Sequence, residues 1–242
     1  KTIGVEPTRL RFLELRLLES AAPHARVIAS EALLSGLRLH KDEHELAAMR
    51  KAVMIAQNAL LKTLPLIKAG VTEREAAGEL SLQLLRAGSD PELPFPPIVA
   101  GGPNSANPHA APSDRSLSNG DLLVIDWGAA YHGYFSDLTR TFAIGEVEPE
   151  LRHIAALTAQ ANAAGRAAAR PGTRAGDVDR AARGVIEAAG YGQAFFHRTG
   201  HGLGMEAHEA PYMFAENELI LEPGMTFTVE PGIYLSGRGG VR

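Results

Sequence analysis

The spacing of glycines and carboxylates along this 242-residue chain predicts an α+β fold made of two αα-ββ halves related by an internal pseudo-twofold. Lys68-Ala69-Gly70 opens a segment that runs to Gly88, and Arg170-Pro171-Gly172 opens one that runs to Gly190, both glycines displaced by 102 residues (172 − 70 and 190 − 88). Gly120-Asp121-Leu122-Leu123-Val124-Ile125-Asp126-Trp127-Gly128 returns as Gly224-Met225-Thr226-Phe227-Thr228-Val229-Glu230-Pro231-Gly232, displaced by 104 at glycine, carboxylate and glycine. Asp126 and Glu230 therefore hold equivalent places. Two such halves would bring two carboxylate-bearing strands to one centre, the arrangement that a two-metal site with oxygen-rich ligands requires.

Residues 1–40 read as the C-terminal remnant of an N-terminal domain plus a linker, joined around Leu39-His40-Lys41 to a main domain over 41–242. Pro7 to Glu19 carries Leu10, Leu13, Leu17 and Leu18 on one side of a short amphipathic helix, and Arg26–Ala29 reads as a brief strand. Neither is enough for a core. Because the chain opens on Lys1, a longer parent is expected and an upstream targeting segment is left open. From Asp42, with Glu45 three residues on, a capped helix begins whose apolar stripe is Leu46, Met49, Val53, Leu60 and Leu64. Thr72-Glu73-Arg74-Glu75 is a second capping box, opening a helix that Gly88 ends.

The central stretch is Asp126 to Phe142. An apolar, β-prone approach, a glycine at 133 and the ending Thr139-Arg140-Thr141-Phe142 predict two strands joined by a short turn. With the tip at Tyr131-His132, partners sum to 263, so Asp126 faces Asp137. Directly opposed carboxylates repel unless a positive charge lies between them, and a metal ion would supply it. Two solvated carboxylates are the competing reading; the repeat that pairs Asp126 with Glu230 favours the metal.

Pro94 to Ala110 is punctuated by Gly and Pro as a loop after a short strand, presenting His109 near its end. His197, His201 and His208 fall within twelve residues, with Gly200 and Gly202 around His201 leaving room for something to approach the backbone closely. Exposed imidazoles on a flexible turn do not account for that density, which favours a ligand or acid–base role. The His-Glu-x-x-His spacing of zincins is absent.

Composition narrows the classes. With 45% hydrophobic and 21% charged residues the chain can build an ordinary core. A net charge of −4 with dispersed basic residues gives no nucleic-acid footprint, and nothing reads as a membrane span. The absence of cysteine excludes disulfides and thiolate sites and suits a reducing, cytoplasmic setting, so any metal must be held by oxygen and imidazole.

Taken in order, Asp126-Trp-Gly-Ala with Tyr134-Phe-Ser-Asp137-Leu-Thr-Arg-Thr-Phe, Thr199-Gly-His201-Gly-Leu-Gly-Met-Glu-Ala-His208-Glu, and Met225-Thr-Phe-Thr-Val-Glu230-Pro-Gly-Ile-Tyr234 resemble the pita-bread metallopeptidases, the family of methionine aminopeptidase, aminopeptidase P and prolidase. The resemblance runs from about residue 40 to the end. It implies that Asp126, Asp137, His201 and Glu230 are metal ligands and that His109 and His208 flank the scissile peptide. It also implies a creatinase-like domain before residue 40 and a homodimer. The family's fifth ligand is a Glu in Gly-x-Arg-Ile-Glu, two residues beyond Gly240-Val241-Arg242, and the parent protein is expected to supply it. Arg242 resembles the Xaa-Pro branch, aminopeptidase P or prolidase, where it would bind a substrate carboxylate or support a carboxylate of the site.

The activity so implied is hydrolysis of the Xaa-Pro bond in peptides or dipeptides by a hydroxide bridging two divalent ions. Mn(II) suits the oxygen-rich set best, with Co(II) or Zn(II) also able to serve. Glu230 would take the water proton, while His109 and His208 would donate to the developing oxyanion and the substrate backbone. His197 is expected to support the site by packing. Three alternatives stand beside this reading: a methionine-aminopeptidase-like enzyme, a non-catalytic binding protein on the same fold, and a metal-free amidinohydrolase of the creatinase type.

Overall fold

The computed structural model describes residues 1–242. In chain order the elements are β1 (Thr2–Val5), α1 (Phe12–Ala21), β2 (Arg26–Ala29), α2 (Glu31–Leu39), α3 (Glu43–Thr63), α4 (Glu73–Arg86), β3 (Ile98–Gly101), β4 (Leu122–Trp127), β5 (Ala130–Tyr131), β6 (Tyr134–Phe135), β7 (Leu138–Ala143), α5 (Pro149–Ala168), α6 (Ala175–Ala188), β8 (Gly200–Gly202), β9 (Glu209–Met213), β10 (Ile233–Leu235) and β11 (Gly239–Val241). None of the helices is long and apolar enough to cross a membrane.

The duplication is visible in the backbone. α4 and α6 have 14 residues each and are displaced by 102 at both ends. Gly70, Gly88, Gly172 and Gly190 all take positive φ, at 94°, 100°, 87° and 85°. Gly70 N donates to Leu117 O and Gly172 N to Leu221 O, each at 2.8 Å. Helix starts follow the capping chemistry: the Asp42 carboxylate accepts from Glu45 N while Glu45 accepts from Asp42 N, and Thr72 and Glu75 repeat the exchange on α4. Each exchange satisfies two donors that a helix start leaves open.

One core packs α3 and α4 against β3-β4-β7, around Ile55, Leu80, Leu84, Leu123, Ile125 and Trp127. The other packs α5 and α6 against Leu122, Phe195, Ile233 and Val241. α3 turns a different face inward from the leucine stripe expected. Met49 and Leu60 are buried, but Leu46, Val53 and Leu64 are only half-buried, and Ala52, Ile55, Ala56 and Ala59 fill the interface. The alanines let the helix approach closely enough for Trp127 Nε1 to donate to Ala56 O at 2.9 Å, satisfying the buried indole.

The central hairpin corrects the expected register. Asp126 pairs with Thr139 and Trp127 with Leu138, and the extension pairs Tyr131 with Tyr134, so partners sum to 265 rather than 263. The turn is His132-Gly133, both at positive φ (52° and 78°), the signature of a two-residue type I′ turn whose twist matches the strands. Asp137 therefore does not face Asp126. It lies two residues before Asp126's partner, the diagonal neighbour on the same face, because a shift by two preserves the face.

Within residues 1–40, β1 and β2 pair in parallel. α1 starts at Phe12, where the Arg11 backbone N–H and guanidinium both donate to the Glu14 carboxylate, rather than at Pro7, and Leu13 and Leu17 of the expected stripe are exposed. α2 was not anticipated from the sequence.

Candidate metal centre

Asp126 is the penultimate residue of β4, Asp137 immediately precedes β7, His201 is the middle residue of β8, and Glu230 lies on an extended run beside β8. That run is held by Thr228 N to His201 O and Glu230 N to Thr199 O, both 2.8 Å. The glycines around His201 are explained here. A Cβ on Gly200 would fall 2.0 Å from Thr228 O, and one on Gly202 2.2 Å from Ala210 O. What approaches the backbone is the neighbouring strand.

Asp137, His201 and Glu230 each offer a ligand atom within 4.8 Å of the other two. His201 Nε2 lies 3.0 Å from Glu230 Oε1 and 3.4 Å from Asp137 Oδ2. Its Nδ1 is 3.0 Å from Gly202 O, a contact that keeps the proton on Nδ1 and leaves Nε2 for the centre. Thr228 Oγ1 donates to Glu230 Oε1 at 2.8 Å. Asp126 presents Oδ2 to Arg242 Nη2 at 2.5 Å, and its buried Oδ1 has no protein partner. A buried carboxylate oxygen left unpartnered beside two further carboxylates and an imidazole is what a divalent cation satisfies, and the N/O donor set suits one.

The electrostatics of the cation-free protein point the same way. Burial pushes Asp126 up to about 8, with Arg242 opposing and Asp137 and Glu230 adding to the rise. Burial lowers His201, but hydrogen bonds to Asp137 and Glu230 outweigh it and carry the imidazole up to about 10. Burial raises Glu230, yet His201, Arg242 and Thr228 together hold it down to about 2. The proton on Asp126 and the His201 imidazolium offset the charge of the clustered carboxylates.

A cavity of about 440 Å³ opens on these groups and brings together Asp126, Asp137, His201, Glu230, His109, His208 and Arg242. His208 is exposed and its ring lies 4.1 Å from that of His201. His109 is exposed at the rim, and its backbone N–H donates to Asn107 Oδ1 at 3.0 Å. His197 also lines the cavity; its Nδ1 meets Arg198 O at 2.7 Å and its Nε2 meets Tyr234 OH at 2.9 Å. Burial lowers the His197 imidazole and raises the Tyr234 phenol to about 12, so the neutral Tyr234 donates to a neutral His197. Arg242 is 4% exposed at its side chain and engaged with Asp126 and Thr139. Arg198 was missed from the sequence although it stands inside the histidine cluster. It is exposed, lines the cavity, and stacks its guanidinium 4.6 Å above the Tyr212 ring.

Two buried carboxylates outside the cavity, also missed, tie its walls down. Glu73 on α4 accepts from Gly101 N (2.8 Å), Asn104 Nδ2 (3.0 Å), and Ser113 N (3.0 Å) and Oγ (2.6 Å), closing the loop that carries His109. Asp179 on α6 accepts from Thr199 Oγ1 (2.7 Å) and Arg183 Nε (2.9 Å), and Arg183 also donates to the carbonyls of Phe195 and His197.

Residues 47–242 match the model of metallopeptidase family M24. The chain belongs to that family. Its fold is the family's pita-bread fold, and the chain superposes over its whole length on an Xaa-Pro dipeptidase from Bacillus anthracis (38% identity, TM-score 0.95, 68% of that chain). It superposes equally fully on an X-Pro aminopeptidase from Thermotoga maritima MSB8 (37% identity, TM-score 0.92, 68% of that chain). An Xaa-Pro dipeptidase from Lactobacillus delbrueckii subsp. lactis is 41% identical over 209 residues, 86% of this chain and 57% of the relative. The chain thus spans between just over half and about two thirds of the length of these family members.

Proposed function

We propose that this chain carries the catalytic site of an Xaa-Pro peptidase, with Asp126, Asp137, His201 and Glu230 as ligands of divalent metal ions. The observation that carries the reading is the convergence of Asp137, His201 and Glu230 beside the unpartnered buried Oδ1 of Asp126, at the floor of a cavity rimmed by imidazoles. Divalent ions held there would supply an activated water at neutral pH, and Mn(II) suits the donor set best.

The chain's own residues supply the rest. Glu230, oriented by the hydrogen bond from Thr228, is the base that accepts the water proton and passes it to the leaving imino nitrogen. His208 and His109, both lining the cavity, donate to the developing oxyanion and to the substrate backbone, each donor contributing about 2.7–4 kcal/mol. Arg242 holds Asp126 in place through the 2.5 Å pair. Of the two cavity arginines, Arg198 is the one left to receive a substrate's terminal carboxylate, because its guanidinium is exposed and stacked rather than engaged by an acid.

The test is elemental analysis of the protein in its full natural length, followed by cleavage of Xaa-Pro dipeptides and Xaa-Pro-Xaa tripeptides after Mn(II) is added back. Metal-dependent cleavage confined to the bond before proline supports the reading, and the preferred length separates dipeptidase from aminopeptidase. Retained cleavage in Asp126→Asn would sink the metal-dependent reading. Absence of both metal and cleavage would favour a binding protein.

A further inference from the structure

Leu203–His208 joins β8 to β9 and brings His208 to the cavity. The His208 imidazole packs on the His201 ring, so its placement depends on the backbone that carries it. That backbone is gripped on both sides of His208 by glutamates whose partners come from far upstream. Lys41 Nζ meets Glu209 Oε1 at 2.5 Å, with the two side chains only 2% and 9% exposed. Glu206 pairs with Arg9 and, at 3.4 Å, with Arg38, which also reaches Glu6 at 3.4 Å. Glu209 Oε2 accepts the Glu206 N–H at 3.3 Å, linking both glutamates into one turn. Lys41 itself is anchored, since its backbone N–H donates to Gly224 O at 2.9 Å.

These contacts are unequal. The arginine pairs with Glu206 are partly exposed, where ion pairs contribute little. The Lys41–Glu209 pair is out of water, and removing the ammonium would leave a buried carboxylate without a counter-charge. Such a carboxylate relaxes toward solvent and drags the adjoining backbone with it, and His208 is the next residue.

Resting on the peptidase reading above, we propose that Lys41 is a positioning residue for His208, acting through the buried Glu209 carboxylate, with Arg9 and Arg38 on Glu206 as the outer half of the same clamp. A misplacement of about 1 Å at a catalytic donor lowers turnover by up to roughly 100-fold.

The test is a double-mutant cycle on the full-length enzyme with an Xaa-Pro dipeptide, together with amide hydrogen exchange over residues 203–210 without substrate. Lys41→Met is expected to lower kcat about 10- to 100-fold when His208 is present, and by less than about twofold in the His208→Ala background. Exchange in the loop should rise. Lys41→Arg should restore part of kcat. Because Lys41→Met strands a buried charge, Lys41→Met/Glu209→Gln removes both charges; it should remain folded and show a smaller loss of kcat than Lys41→Met, with loop exchange still raised because the tether is gone. Equal losses with and without His208, or unchanged exchange in the loop, would overturn the proposal. Exchange is read without turnover, so it decides the clamp independently of the peptidase reading.

Discussion

Glu73 at the start of α4 and Asp179 on α6 do the same work in the two halves of the molecule, each tying a loop or strand that carries cavity imidazoles to the second helix of its half. They do it with different partners. Glu73 is served by neutral donors, the Gly101 amide, Asn104 and Ser113, whereas Asp179 shares its carboxylate between Thr199 and the Arg183 guanidinium. The strands they support also diverge. The first half presents two aspartates diagonally on a regular hairpin; the second presents one glutamate beside a histidine flanked by glycines. Duplication has kept the scaffold and let each half specialise, the first in carboxylates and the second in imidazole and base.

This division can be broken at several points. The largest effect is expected at the shared centre: Asp137→Asn and His201→Ala should each lower kcat/KM by at least roughly 100- to 1,000-fold, the cost of one preorganised electrostatic partner. Metal stoichiometry, measured on the same samples, should fall with it. In the second half, Asp179→Asn strands the Arg183 guanidinium, whose side chain is 23% exposed. It should destabilise by about 3 kcal/mol, read by urea denaturation. In the first half, Glu73→Gln keeps an acceptor for its neutral donors and should cost only about 1–2 kcal/mol in the same assay. Equal losses at the two sites would mean that the tethers are interchangeable. The smallest change is at the hairpin tip, where His132→Asn places a residue better suited to the left-handed region. It should stabilise by about 0.5 kcal/mol.

A pH experiment sharpens the same contrast. The His201 pKa in the cation-free protein is raised from its ordinary 6.5 to about 10. Its stabilising contribution is therefore complete below about 6.5 and fades as pH rises toward 10. Asp126, raised to about 8, opposes folding increasingly as pH climbs from its ordinary carboxylate range through 8. The Tm of metal-free protein should therefore fall between pH 7 and 10. Bound metal should flatten that slope, because the cation replaces the protons.

The sequence made much of the scaffold legible, because glycines at fixed displacement and two capping boxes mark element ends directly. The hairpin register was not, since it turned on a non-glycine residue, His132, taking positive φ beside Gly133. The alanine face of α3 was equally hidden: larger leucines dominate an apolar stripe on paper, while close packing selects the smaller side chains. Around the centre, Asp126, Asp137, His201 and Glu230 stood out by motif and repeat, and the cavity gathers them with His109, His208 and Arg242. Glu73, Asp179 and Lys41 did not stand out. A charged residue on a helix or in a linker reads as solvated until the chain folds an amide, a guanidinium or a carboxylate against it.

The most direct test is calorimetric titration of Mn(II) into the metal-free, full-length protein at pH 7, repeated in two buffers of different protonation enthalpy. Roughly two ions per chain are expected to bind. Their uptake should release protons, because His201 and Asp126 must give theirs up, and both binding and release should weaken in Asp137→Asn. Absence of binding, or binding without proton release that Asp137→Asn leaves unchanged, would contradict the assignment of the metal centre.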